Sequence, residues 1–369
     1  MYRMWAIVER ELRRFRRSPF LIVMSMVFPL IQLVILGYAI GGNVKHLKVA
    51  VVDQDHGVPA IRVRELASAA ASGTHTIDTF EYADQGQAIT DLRNGRVNAV
   101  LTIPPEFSRR VLQRNEPRLA LIEDNTDNFV SVALASTFGA MLGAYNQPVA
   151  PRIPGQATLD VVEVYPYVPY VQYLLPGSIC MSIFMMVMIG GGVIFIDDKA
   201  RGLHEGYLVT PITKFELIAG FNLSGTIKAV LAGFVLMTIG SVIAGVPNAF
   251  DPMRLFRLLV VIVATAFALI SFMFLLMVRV TDPLTPRAMF GVLNTLLYFP
   301  SGAVYPQQGF PGWMQVLAAV DPFTYSVHAF KNLLLKNTGF EAIGSDLAYL
   351  LTFSVVSMTA ATLLFRRTL

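Results

Sequence analysis

Apolar residues in this chain gather into long uncharged runs separated by polar stretches. Phe20–Ile40 carries no charge and is long enough to cross the roughly 30 Å hydrocarbon core of a bilayer. Val171–Ile196 is equally free of charge. Ala229–Val246 is a third run, and it extends back toward Phe215 through Lys228. Leu258–Val278 is the fourth, and Leu347–Phe365 closes the series. Between them, Ala288–Val320 is uncharged but broken by Pro300, Gly302, Pro306, Gly309, Pro311 and Gly312. That pattern predicts one helix followed by a partly re-entrant segment, tolerated at membrane depth only where protein or water satisfies the backbone.

Two stretches do not follow this pattern. Before the first run, Trp5, Val8, Leu12 and Phe15 recur at helical spacing with arginines on the other face. This predicts an amphipathic helix over 1–19, lying in the membrane interface. The plainer alternative is a basic topogenic tail. Residues 42–169 alternate between strand-like and helix-like phrases: "LKVAVVDQD", "HTIDTFEY", "VNAVLTIP" and "RLALIED" read as strands. "PAIRVRELASAA", "DQGQAITDLRNG", "PEFSRRVLQRN" and "FVSVALASTFGAMLGAYN" read as helices. Alternation of this kind indicates an α/β domain, and about 125 residues suffice for a core of its own. "PVAPRIPG" reads as a linker.

Composition strengthens the membrane reading. The 369 residues are 54% hydrophobic and only 15% charged, against roughly 25% charged in soluble domains. Mean hydropathy is +0.55 and the pI is near 9.1. The basic residues cluster beside apolar runs, which fits membrane orientation rather than nucleic acid. The first run follows arginines as a signal peptide would. It exceeds a typical apolar signal core of roughly 7–15 residues, so a retained helix is expected.

Orientation follows from Lys and Arg at the span ends. With the N-terminus inside, Arg3, Arg10, Arg13, Arg14, Arg16, Arg17, Lys199, Arg201, Lys214, Arg279, Arg287, Arg366 and Arg367 are cytoplasmic. Arg254, Arg257, Lys331 and Lys336 are left outside, and the first two are the weak point of the assignment. Both termini are then cytoplasmic. The expected fold is an α-helical integral membrane protein with six transmembrane helices, an N-terminal amphipathic interfacial helix and an inserted α/β extracytoplasmic domain. The spans are expected at 20–41, 170–197, 215–247, 255–279, 286–304 and 345–366. A cytoplasmic loop covers 198–214, and re-entrant helices on the outer-leaflet side cover 305–340.

Tests for chemistry are negative. No G-x-x-x-x-G-K-[ST] phosphate loop occurs. "GFNLSGTI", Gly220 to Ile227, lacks the lysine and reads as small residues for helix packing. His46, His56, His75, His204 and His328 show no metal-ligand spacing, and "DQDH" at Asp53–His56 is more naturally a capped turn than a cation site. No G-x-S-x-G elbow is present. The lone cysteine, Cys180, lies in an apolar run and reads as packing. Lys228 is the deepest charge in a span, about three turns in. It either snorkels to the interface or lines a path. Tyr165, Tyr167, Tyr170 and Tyr173 either anchor the interface or line an exit.

The order of these features resembles the ABC transporter type-2 permease family. "RGLHEGYLVTPITKFELIAG", Arg201 to Gly220, is similar to that family's cytoplasmic loop. Arg201, Gly202, Glu205, Leu208, Val209, Thr210 and Pro211 fit. Ala200, Leu203, His204 and the Gly206-Tyr207 pair depart. "SGAVYPQQGFPGWMQVLAAVDPFTYSVHAFK" resembles the family's segment between spans five and six, through Ser301, Gly302, Tyr305, Pro306, Trp313, Pro322, Thr324 and Tyr325. Asp321 stands there in place of the usual Asn. "FPLIQLVILGYAIG" and the large domain between spans one and two complete the likeness to bacterial multidrug-type exporter permeases.

The resemblance implies a permease subunit that binds no cofactor itself, with ATP and Mg on separate ATP-binding cassette ATPase subunits. Arg201, Gly202, Leu203, His204, Glu205, Tyr207, Leu208, Val209, Thr210 and Pro211 would form the coupling contact. Ser301, Gly302, Tyr305, Pro306, Trp313, Asp321, Pro322, Thr324 and Tyr325 would form the exit region, with Lys228, Tyr170 and Tyr173 on the translocation path. A second permease copy or a related permease, membrane lipids and a periplasmic adaptor are the other implied partners. Location in a bacterial inner membrane and export of an amphipathic compound follow. The rival is a mechanotransmitter whose outer domain acts on a periplasmic partner with nothing crossing. A lipid-modifying enzyme would need an acid/base or metal cluster, which the sequence does not offer.

Overall fold

The computed structural model describes residues 2–40, 45–123, 127–146, 168–189, 210, 212–280, 282 and 284–364. The chain divides into two compact units, Met1–Gly41 with Glu163–Leu369, and Gly42–Val162. Helix α1 spans Tyr2–Arg16 and α2 spans Pro19–Ile40.

The second unit begins with β1, Leu47–Asp53, then α3 Val58–Thr74, β2 Ile77–Tyr82 and α4 Gln85–Arg93. It continues through β3 Ala99–Ile103, α5 Phe107–Gln113, β4 Ala120–Glu123 and α6 Asn128–Asn146. The sheet order is β2-β1-β3-β4, with β1 parallel to β2 and β3, and β4 antiparallel to β3. Period-two alternation sends the side chains of β1 into two cores. Leu47, Val49 and Val51 pack with Ala60, Val63, Phe107, Leu134 and Phe138 from α3, α5 and α6. Ala50 and Val52 pack on the other face with Ala88, Leu92, Val97 and Val100. Asp84 caps α4 by accepting from Gly86 N and Gln87 N at 3.0 and 3.2 Å. Gly95, at φ +69°, takes the left-handed turn after that helix.

The first unit resumes with α7, Tyr170–Val187, followed by α8 Lys214–Ala244 and α9 Pro252–Met277. Then come α10 Leu284–Tyr298, α11 Gly312–Val320, α12 Pro322–Leu335 and α13 Gly344–Leu364. Short 3₁₀ turns at Gln307–Gly309 and Phe340–Ile343 join them. Helix α8 starts at a capping box: Thr213 Oγ1 accepts from Glu216 N at 3.2 Å and Glu216 Oε2 accepts from Thr213 N at 3.0 Å. Its 31 residues make it about 47 Å long.

Helix α7 is the centre of this bundle, packed against α2, α8, α9 and α12. Leu174, Leu175, Ile179, Ile183 and Phe184 are all buried. Small residues let the neighbours approach: a Cβ on Gly233 would stand 2.7 Å from Ile183, and one on Gly225 2.7 Å from Ile270. Polar ties cross the interior, from Asn222 Nδ2 to Ser271 Oγ at 2.9 Å and from Thr265 Oγ1 to Ser326 Oγ at 3.0 Å. By contrast α2 and α13 leave Phe28, Ile31, Ile35, Leu351, Val355 and Val356 exposed, which costs nothing against lipid.

Five helical stretches among the described residues are long and apolar enough to cross a membrane. They begin in α2, α7, α8, α9 and at Phe340 ahead of α13. The expected span at 286–304 is a helix only as far as Tyr298. At 15 residues, α10 is shorter than the roughly 20 that a perpendicular crossing needs. Turns at residues 299–305 end it, with Gly302 at φ +81°.

Candidate functional site

Two arrangements in the bundle carry unusual chemistry. The first joins α1 to α8. Lys228 Nζ donates to Glu11 Oε2 at 3.0 Å, and both side chains are 1% exposed. Arg10 Nη1 adds a second cation 3.3 Å from Glu11 Oε1. The Lys228 ammonium also lies 5.8 Å from the centre of the Phe15 ring. About two turns toward the start of α8, Gly220 admits Ile7, whose Cβ would be only 3.1 Å from a Cβ added at 220.

One face of α1 packs against α8. Ile7, Val8, Glu11 and Phe15 are its buried residues, while Trp5 is 56% exposed and Leu12 is half-buried. Of the stripe read from Trp5, Val8, Leu12 and Phe15, Val8 and Phe15 pack inward. An acidic residue sits on the packed face because α8 offers a lysine opposite it. Lys228 in turn is buried. It is enclosed against α1.

The second arrangement surrounds the N-terminal half-turns of α7 and one face of α12. Tyr170 and Tyr173 stack with ring centres 5.8 Å apart. Tyr170 Oη donates to Val304 O at 2.9 Å, and Tyr173 Oη reaches Gly302 O at 3.4 Å. Lys331 Nζ donates to the same Gly302 carbonyl at 2.6 Å and stands 3.5 Å above the Tyr173 ring. Ser301 Oγ donates to Tyr298 O at 2.6 Å and accepts from Ala303 N at 3.3 Å, which shapes the turn. Together Tyr173, Ser301, Gly302, Pro306, Gln307, Gln308, Thr324, Val327, His328 and Lys331 enclose a recess of about 250 Å³.

The sequence-predicted exit residues are thus dispersed over several environments. Ser301, Gly302, Pro306, Thr324 and Tyr173 meet at the recess. Asp321 and Pro322 are buried and do not line it: Asp321 Oδ1 accepts from Phe323 N at 2.9 Å and caps α12. Tyr325 faces a neighbouring hollow with Gln315 and Ala319, donating to Ala319 O at 2.8 Å and stacking on Tyr349 at 3.7 Å. Tyr305 and Trp313 are exposed, and Tyr170 supports the turn from behind.

Lys331, His328 and Gln307 were not singled out as site residues from the sequence. The signal existed: Thr324, Val327, His328 and Lys331 lie at i, i+3, i+4 and i+7 on one face of a helix. Glu11 was missed for the opposite reason, because charge on a basic helix reads as solvated.

Arg254 and Arg257, awkward for the charge-based orientation, are structural. Arg254 is 3% exposed; its Nε donates to Leu333 O at 2.9 Å, Nη1 to Pro247 O at 2.7 Å and Nη2 to Leu334 O. Arg257 Nη1 donates to Thr338 O at 3.1 Å. Both satisfy carbonyls at and beyond the end of α12.

The loop residues Arg201, Gly202, Leu203, His204, Glu205, Tyr207, Leu208, Val209 and Pro211 lie outside the described residues, as do Tyr165 and Tyr167. Thr210 is described, in a turn and half-buried.

The family profile described as "ABC-2 family transporter protein" matches residues 19–363. The chain is 23% identical over 372 residues to the "Probable multidrug ABC transporter permease YbhR" of Escherichia coli (strain K12), covering 99% of both chains. It is 24% identical over 288 residues to the "Inner membrane transport permease YhhJ" of the same strain, covering 74% of each. A more distant similarity, 22% over 366 residues, reaches the "ABC transporter G family member 20" of Dictyostelium discoideum, with 95% of this chain and 48% of that one covered. The match takes in the helices from α2 onward, the sheet-bearing unit and the recess, and this chain belongs to the ABC-2 family of transporter proteins.

Proposed function

We propose that this chain is the membrane permease of an ATP-driven exporter that moves an amphipathic compound out of the cytoplasm or inner membrane. The observation that carries this reading is the family match over residues 19–363, with a relative named as an ABC transporter permease aligned over 99% of both chains. The sequence holds no phosphate loop, so hydrolysis belongs to a separate ATPase. Six crossings are proposed, α10 supplying the sixth together with the turns and short helices that follow it. The basic clusters support cytoplasmic termini and an outer position for the sheet-bearing unit. A pair of permeases, alike or related, would complete the pathway. The word "multidrug" in the relative's name supports an amphipathic cargo.

In this reading, the segment Arg201–Pro211 contacts the ATPase, with Glu205 and Tyr207 as its polar and aromatic points. Helix α8 begins at the capping box of Thr213 immediately after it, so displacement of the loop pulls on α8. Helix α1 then follows, because Glu11 and Ile7 tie it to α8. The test is reconstitution with the cognate ATPase. Glu205→Ala and a scramble of residues 203–209 are expected to abolish stimulated ATP hydrolysis and transport together. Unchanged stimulation and transport in both variants would overturn the coupling role.

A further inference from the structure

We infer that the recess between Tyr173 and α12 is a binding subsite for an anionic headgroup of the phosphate or carboxylate type, with Lys331 as its charge partner. The inference deepens the exporter reading by naming the class of compound, and it rests on that reading only for the transport step. Lys331 is half-buried, and among the described residues no carboxylate lies within ion-pair distance of it. Of its three ammonium donors, one goes to Gly302 O. The Tyr173 ring covers another face at 3.5 Å. A ring and one carbonyl offset only part of the cost of drawing an ammonium out of water.

The rest of the recess has the same character. No Asp or Glu lines it. Its other polar groups include Gln307, Gln308, Thr324 and His328. Gln307 Nε2 is engaged with Pro300 O at 3.3 Å and Thr324 Oγ1 at 3.4 Å, which holds the wall in place. Gln308 is exposed at the rim and extends a side-chain amide there. His328 Nδ1 is 2.8 Å from Asp346 Oδ2, so that carboxylate is occupied by the imidazole and not by Lys331. A volume of about 250 Å³ suits a headgroup rather than a whole amphiphile, whose apolar part would remain outside.

The purified full chain in phosphatidylcholine nanodiscs is titrated with dodecyl phosphate, dodecyl phosphocholine and inorganic phosphate. Dodecyl phosphate is expected to bind at least tenfold more tightly than dodecyl phosphocholine. Lys331→Gln should weaken dodecyl phosphate by roughly 10- to 100-fold, the loss of one charge-assisted contact, and leave dodecyl phosphocholine unchanged. Lys331→Arg should retain most of the binding. Gln308→Leu, a rim change that leaves the fold alone, should cost roughly 2- to 10-fold for dodecyl phosphate alone. Inorganic phosphate binding as tightly as dodecyl phosphate, and lost in Lys331→Gln, supports the subsite with a free anion as its source. Much weaker inorganic phosphate assigns it to an amphiphile. Equal affinity for the phosphate and phosphocholine detergents, or parallel loss of both in Lys331→Gln, overturns the subsite and leaves Lys331 a tie for the 302 turn. ATP-driven transport that persists beside that negative result would leave the exporter reading standing.

Discussion

Lys228 Nζ and Glu11 Oε2, 217 positions apart in sequence, meet at 3.0 Å with neither side chain reaching solvent. A buried pair of this kind adds little over two well-packed apolar residues, yet removing one partner leaves the other buried with less to offset its desolvation. Glu11→Ala or Lys228→Met is therefore expected to lower stability by about 3–5 kcal/mol. The double replacement Glu11→Leu with Lys228→Met should recover most of that loss. Thermal unfolding of the four proteins in one detergent measures the cycle. A double variant as unstable as the sum of the singles would mean the two residues act independently.

The same docking surface depends on a missing side chain. A Cβ at Gly220 would sit 3.1 Å from the Ile7 Cβ and 3.2 Å from its Cδ1, closer than ordinary contact. Gly220→Val adds two more methyl groups there and should push α1 from α8 at a cost of about 1–3 kcal/mol. Ile7→Ala in the same chain should return part of it. Proteolysis at the arginines of α1 reads the displacement directly: Gly220→Val should be cut faster, and the Ile7→Ala combination more slowly than Gly220→Val alone.

Much of this architecture is legible in the sequence where periodicity is strict. The strands β1 to β4 and the helices between them follow from alternation and turn residues, because each face of β1 meets a core of its own. The apolar runs locate α2, α7, α8 and α9 for a simpler reason, since lipid and a dry bundle interior both reward uncharged sequence. What periodicity cannot give is the partner of a charge. Glu11 lies among arginines, and only the fold brings Lys228 to it. Arg254 reads as an orientation signal, but the end of α12 engages it. At the recess, Ser301, Gly302, Pro306 and Thr324 were visible as a motif, while Lys331 acquires its meaning from Tyr173, 158 positions earlier.

Arg254 permits a test of that last kind of role. Its guanidinium serves three carbonyls at once, those of Pro247, Leu333 and Leu334. Arg254→Met leaves the carbonyls without a buried donor and should cost about 3 kcal/mol. Arg254→Lys keeps the charge but lacks the planar fork, so it should recover less than half. If the residue acted only as a topological charge, lysine would restore stability fully and methionine would invert or misinsert α9. Cysteine accessibility at positions flanking α9 distinguishes the two outcomes.

The sheet-bearing unit carries a pH dependence whose sign follows from its contacts. Burial pushes the Asp55 carboxyl up, but Ser108 Oγ, Ser108 N at 3.1 Å, Gly57 N at 3.2 Å and the neighbouring His56 together hold it below its ordinary value. A carboxyl lowered on folding stabilises the fold fully above its unfolded value, about pH 4, and that contribution drains away as pH falls through the lower folded value. The tie between the end of β1 and the start of α5 should therefore weaken only in strong acid, not near neutrality. Hydrogen exchange of peptides from β1 and α5, corrected for intrinsic rates, should show protection that is flat from pH 7 to about 5 and declines below about 4. Asp55→Asn should remove that residue's share of the decline and lower protection at pH 7, since an amide accepts these hydrogen bonds less strongly than a carboxylate. Ser108→Ala should do the same in part, because the two backbone donors remain. Protection in Asp55→Asn that falls with the same slope as the parent chain would assign the acid sensitivity to other carboxyls.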